Sequence, residues 1–115
     1  MKYSESLKKN EDFRQVYRHG KSRADRLLVM YVKENGLGKN RIGITVSKKV
    51  GNSVVRHRIR RLIKEVIRLS EEYFHIGYDC VFVARTNAKD CTYFEIERAI
   101  FRLFTMHGLM KRERE

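Results

Sequence analysis

The chain has 115 residues, 42% of them hydrophobic, and a formal net charge of +12 at pH 7. That length fits one domain with a single modest core, and that charge calls for an anionic partner, nucleic acid before a membrane surface. No apolar run approaches the roughly 18 residues of a membrane span, and the opening MKYSESLKKNEDF lacks the apolar centre of a secretory signal, so a cytoplasmic protein with Cys80 and Cys91 as reduced thiols is expected.

Proline is absent, so glycine, asparagine and serine supply the punctuation. NEDFRQVYRH (10–19) predicts a helix: Asn10 as cap, Glu11 and Asp12 in the first turn, Phe13, Val16 and Tyr17 on one face, and Gly20 as the stop. LLVMYVK (27–33) and RIGITVS (41–47) predict strands, with ENGLGKN between them as a hairpin-like loop. Asn52 or Ser53 then caps a helix running to about Ser70. YDCVFVAR (78–85) predicts a third strand. A last helix follows, opened by a Thr92/Glu95 capping box and closed near Gly108. The order is α-β-β-α-β-α, one domain over 1–115 with 1–6 and 109–115 frayed. It predicts an α/β (α+β) two-layer sandwich on a small sheet, in which strands 41–47 and 78–85 run parallel if adjacent.

The helix from residue 53 to 70 carries the clearest chemistry. From Arg41 through Lys64, both included, there are eight Lys or Arg residues and no acid. At about 100° per residue, Val55, Ile59, Leu62, Ile63, Val66, Ile67 and Leu69 occupy one sector. His57, Arg58, Arg60, Arg61, Lys64 and Arg68 fill the opposite one, with Arg56 at the border. Like charges at i, i+4 repel by a few tenths of a kcal/mol per pair, and only Glu65 relieves them. A phosphate backbone offsets that repulsion and releases counterions; Arg forks also bind phosphate in bidentate fashion. A solvated helix face is the plainer alternative, but such faces mix signs. A membrane-surface helix is a third reading, weakened because its apolar sector is needed for the core. Lys48 and Lys49 in SKKVGNSV extend the cationic strip toward the helix start.

These residues also carry a resemblance. TVSKKVGNSVVRHRIRRLIKEVIR (45–68) resembles the signature of the bacterial ribonuclease P protein subunit, LKKNEDFRQVYRHGKS (7–22) resembles its N-terminal helix, and YDCVFVARTNA (78–88) with the helix after it resembles its C-terminal part. The family's usual Arg-Asn-Arg is Arg56-His57-Arg58 here. The resemblance implies a left-handed β-α-β crossover, against the right-handed rule that holds in about 98% of cases. It implies a catalytic RNA partner that removes the 5′ leader from precursor tRNA, with Mg2+ in the RNA-containing holoenzyme. The protein would assist substrate and metal binding, and would be a monomer when free.

Phe13 with Tyr17, and Val29 with Tyr31, share faces of their elements. Spacing alone reads them as core. The resemblance places them, with Thr45 and Lys49, in the family's cleft for the single-stranded leader, where aromatic platforms beside cations suit RNA. No catalytic or metal residues are assigned. His19, His57, His75 and His107 are scattered, Glu11/Asp12 and Glu71/Glu72 read as helix charge, and Asp79 and Asp90 stand alone. A structural RNA-binding protein of ribosomal type remains the alternative.

Overall fold

In the computed structural model, which describes residues 2–111, the chain runs β1 (Ser4–Ser6), α1 (Asn10–His19), β2 (Lys21–Ala24), β3 (Leu28–Glu34), β4 (Asn40–Thr45), α2 (Ser53–Ser70), β5 (Tyr78–Ala84) and α3 (Tyr93–Met106). The strands form one mixed sheet in the order β1-β4-β5-β3-β2. The β1/β4 and β4/β5 pairs are parallel, and β5/β3 and β3/β2 are antiparallel. The predicted parallel pairing of the strands flanking α2 is present. The hairpin is not: β5 lies between β3 and β4. YDCVFVA is the most continuously apolar strand, and such a strand belongs at the centre of a sheet covered on both faces.

Alternation assigns the two faces. Leu28, Met30, Val32, Ile42, Cys80, Phe82 and Ala84 point to the main core, where they meet Ile59, Ile63, Val66 and Ile67 of α2 and Ile96, Ala99, Ile100, Leu103 and Phe104 of α3. At its floor the rings of Phe74 and Phe104 stack with centroids 3.7 Å apart. Helix α1 adds a partial third layer on the other face, where Leu7, Val16 and Val81 are buried among Phe13, Tyr31 and Val83. Two short strands escape the sequence reading. SES and KSRA carry no apolar alternation, and β2 is exposed along its whole length. Both are edge strands, and the Lys21 and Arg23 charges on β2 guard its unpaired rim.

Three further expectations are corrected. Lys9, not Asn10, occupies the N-cap of α1, without a side-chain bond. Leu69 is 54% exposed, because it falls about 105° from the middle of the buried arc of α2. Residues 2–6 and 109–111 are held rather than frayed. The backbone N–H of Asn40 donates to Tyr3 O and that of Lys111 to Tyr73 O, the Lys2 N–H donates to Glu71 Oε1 at 2.6 Å, and Leu109 is buried. The rest of the expected frayed tails, residues 1 and 112–115, lies outside the described residues. The helix signals otherwise correspond to structure: Asn52 Oδ1 accepts from the Val55 N–H at 3.0 Å, the Thr92/Glu95 capping box is complete, and Gly108 ends α3 at φ +72°. No helix among the described residues is long and apolar enough to cross a membrane.

Candidate nucleic-acid interface

Because α2 buries Ile59, Ile63, Val66 and Ile67 against the sheet, its opposite side is forced outward. Arg56, Arg60, Arg61 and Lys64 have no ion-pair partner among the described residues, and His57 is exposed beside them. These side chains repel one another across successive turns, so the folded chain presents a stored electrostatic cost that a polyanion relieves. A groove of about 690 Å3 runs along this side, lined by Arg58, Arg61, Leu62, Lys64, Glu65 and Arg68.

Two members of the strip are already engaged. Arg68 donates through Nε to Glu65 Oε2 at 3.1 Å, and that bond holds the Glu65 carboxyl below its ordinary range. Arg58 donates from Nη2 to the backbone carbonyl of Cys91, just ahead of α3. Arg58 therefore ties α2 to the start of the last helix, a role the helical wheel could not reveal because its partner is 33 residues away. Lys48 and Lys49 occupy the corner of a turn closed by a Val50 N–H to Ser47 O bond of 3.1 Å. Buried Val46 and Val50 anchor that turn, and both lysines are exposed.

The second surface lies on the α1 face of the sheet. The strand register sets it out in rows: Thr45, Val83, Val29 and Ala24 across β4, β5, β3 and β2, and beside them Gly43, Val81, Tyr31 and Ser22. Phe13 closes the second row. A Cβ on residue 43 would come within 2.6 Å of Phe13 Cε1, so glycine at that strand position is what lets the ring lie on the sheet. One turn on, Tyr17 is 40% exposed. Its hydroxyl and that of Thr45 share a hydrogen bond of 3.0 Å, and its ring stands edge-on to Tyr31 with centroids 5.0 Å apart. The first row stays only half covered over Val29 and Val83.

The start of α1 is fixed by charge. Arg41 on β4 donates to Asp79 at 2.7 and 2.6 Å and lies 3.4 Å from Asp12 of α1. Burial pushes the Asp79 carboxyl up, but hydrogen bonds from Arg41 and Asn35 and the Arg41 charge outweigh it and hold the group below its ordinary value.

Of the residues expected in the cleft, Phe13, Tyr17, Val29, Tyr31 and Thr45 share this one face. Lys49 stands apart on the turn four residues beyond β4. Sequence reasoning missed Val83, which joins Thr45 to Val29, and Gly43 under Phe13. Alternation marks both for one face of their strands, but placing them needs the strand order.

A cation-lined helix on one face of the sheet and an aromatic patch on the other are features that many RNA-binding folds could share; the match over nearly the whole chain decides among them. Residues 1–108 match the family Ribonuclease P. The chain belongs to the ribonuclease P protein family. It is 54% identical over 103 residues to the ribonuclease P protein component of Alkaliphilus metalliredigens, covering 90% of this chain and 93% of that protein. The corresponding protein of Alkaliphilus oremlandii is 51% identical over 110 residues, 96% of each. Among solved structures, the Staphylococcus aureus RNase P protein superposes with a TM-score of 0.80 at 32% identity, over 92% of this chain and 97% of that one. The RNase P protein from Thermotoga maritima has the same fold, with a TM-score of 0.82 at 23% identity over 88% and 96%.

Proposed function

We propose that this chain is the RNA-binding protein subunit of ribonuclease P: it docks on the catalytic RNA through α2 and holds the 5′ leader of precursor tRNA on the α1 face. The observation that carries the reading is the set of uncompensated cations Arg56, Arg60, Arg61 and Lys64 on one side of α2, in a chain whose relatives are ribonuclease P protein components. The Tyr17, Tyr31, Val29 and Val83 face supports the leader assignment. It offers aromatic and apolar surface with no hydrogen-bonding code, as stacking on leaders of varied sequence requires.

Hydrolysis belongs to the RNA in this reading. Four carboxylates near the two surfaces are committed: Asp12 and Asp79 to Arg41, Glu65 to Arg68, Glu95 to the capping box. Among the described residues no three His, Cys, Asp or Glu side chains converge into a metal-binding group. In this reading Mg2+ belongs to the RNA-containing assembly, and this chain lowers the Mg2+ needed by neutralising phosphates and holding the leader. It works in the cytoplasm and is a monomer until it meets the RNA.

Reconstitution with a bacterial ribonuclease P RNA at low Mg2+ tests the proposal. Site-specific release of the leader should accelerate strongly when the protein is added, while the purified protein alone leaves precursor tRNA intact. RNA binding without acceleration would mark the chain as a purely structural RNA-binding protein. Cleavage by the protein alone, abolished by a carboxylate substitution, would make it a nuclease in its own right.

A further inference from the structure

Phe94 is 69% exposed and Val54 is 74% exposed, each in the first turn of its helix. On α3 the buried residues Ile96, Ala99, Ile100, Leu103 and Phe104 define one arc, and Phe94 lies about 150° from its middle. A phenylalanine there gains nothing from the core, and it has a lower helix propensity than the charged residues common at such sites. Its ring is nevertheless held in place. Tyr93, half-buried against the main core, meets it edge-on at 89° with centroids 5.5 Å apart. One edge is supported and the rest faces solvent.

Glu95 and Glu97 follow Phe94 on α3, but the facing start of α2 is cationic. The bond from Arg58 to the Cys91 carbonyl draws the start of α3 against α2, three residues before Phe94. On the α2 side of that junction, Ser53, Val54, His57, Arg58 and Arg61 line an open groove of about 570 Å3, with no acid among them. A ring three residues beyond the carbonyl that Arg58 holds, with His57 and Arg61 on the same turns of α2, offers what an unpaired nucleotide needs: a flat apolar surface for the base and donors for its phosphate. A second copy of this chain fits poorly, since two such rims would oppose like charges on molecules each carrying +12.

We propose that Phe94 is a base-stacking platform that captures an unpaired nucleotide of the RNA subunit, with Arg61 and His57 on its phosphate. This rests on the reading of α2 as the RNA-docking helix and extends that interface to the start of α3. It adds a shape-dependent contact to a strip that otherwise reads only charge.

The test measures affinity of the full chain for a ribonuclease P RNA across a salt series, with Phe94→Ala and Phe94→Trp. Phe94→Ala should melt like the parent protein, bind RNA about 5- to 20-fold more weakly and keep the parent's salt slope, because it removes a stacking surface and no charge. Phe94→Trp should keep or improve affinity. The chain contains no tryptophan, so the introduced indole is the only one and its emission should be quenched when RNA is added. Unchanged affinity for Phe94→Ala together with unquenched emission would overturn the proposal while leaving the role of α2 intact. A weakened complex with a shallower salt slope would overturn it as well, as would self-association that Phe94→Ala abolishes without touching RNA affinity. Failure of the parent protein to bind the RNA would remove the underlying reading itself.

Discussion

Replacing Tyr17 by alanine separates the two uses of the α1 face. Phe13 and Tyr17 are neighbours on one helix, with ring centroids 6.4 Å apart, but they are built differently into the fold. Phe13 lies over Gly43 and against Leu7, so its truncation opens a void beneath α1. A fully buried Phe→Ala costs about 3–5 kcal/mol; with Phe13 half-buried, about 2 kcal/mol is expected, or about 8 °C in melting temperature for a domain of this length. Tyr17→Ala gives up a solvent-accessible hydroxyl bond with Thr45 and the edge-on packing against Tyr31, together about 1 kcal/mol and about 4 °C. The ranking reverses for RNA. In the assembled holoenzyme, Tyr17→Ala should weaken precursor tRNA by about 1–2 kcal/mol, roughly 5- to 30-fold, for the removal of one stacking ring. Mature tRNA, which has no leader, should bind as before. Tyr17→Phe keeps the ring and removes only the Thr45 bond, so it should bind precursor nearly as the parent does. Thermal melts with affinities for both tRNAs decide the matter. Equal weakening on the two tRNAs, or a larger stability drop at Tyr17 than at Phe13, would refute the assignment of Tyr17 to an open cleft.

Three other outcomes follow from the same geometry. Arg60→Ala, Arg61→Ala and Lys64→Ala combined should leave the circular dichroism native and reduce the salt slope of RNA binding by about 0.7–0.9 for each phosphate no longer neutralised; an unchanged slope would remove α2 from the interface. Arg58→Ala should cost about 1–2 kcal/mol of stability in urea melts, because it deprives the Cys91 carbonyl of its charged donor, whereas Arg61→Ala should cost almost none. Asp79→Asn should cost about 2–3 kcal/mol, less than a fully buried broken pair because Arg41 keeps a quarter of its exposure and retains Asp12. The folded carboxyl titrates below its ordinary 3.8, so the stability it contributes is complete above that value and is lost as pH falls through the folded one. Melts from pH 3 to 7 should therefore show the parent and Asp79→Asn converging only at the acid end.

The sequence marks the long amphipathic elements well because each has one apolar stripe and clean end signals: Asn52, the Thr92/Glu95 box, Gly108. Edge strands leave no such trace. KSRA and SES bury almost nothing, and what makes them strands is a neighbour, β3 or β4, whose pairing no local pattern announces. The misplaced hairpin has the same origin, since a loop of hairpin length does not say whether its strands pair directly or across β5. At the interface, the charge of α2 is legible from composition, but the split between free and engaged arginines is not. Glu65 is close enough in sequence to be seen beside Arg68; the Cys91 carbonyl is not. Phe13 and Tyr17 look equivalent on a helical wheel, and only the absence of a side chain at Gly43 tells them apart.

Cys80 and Cys91 are both buried and unpaired, and burial pushes both thiols up, away from the reactive thiolate. They are the only cysteines in the chain. The folded native protein should therefore react only slowly with maleimides, which a labelling time course against the urea-unfolded chain would check. A cysteine introduced at exposed Ala24, at the β2 end of the open row, would be the single labelling point on the molecule. A photo-crosslinker attached there would record which leader nucleotide passes over the rim of the sheet.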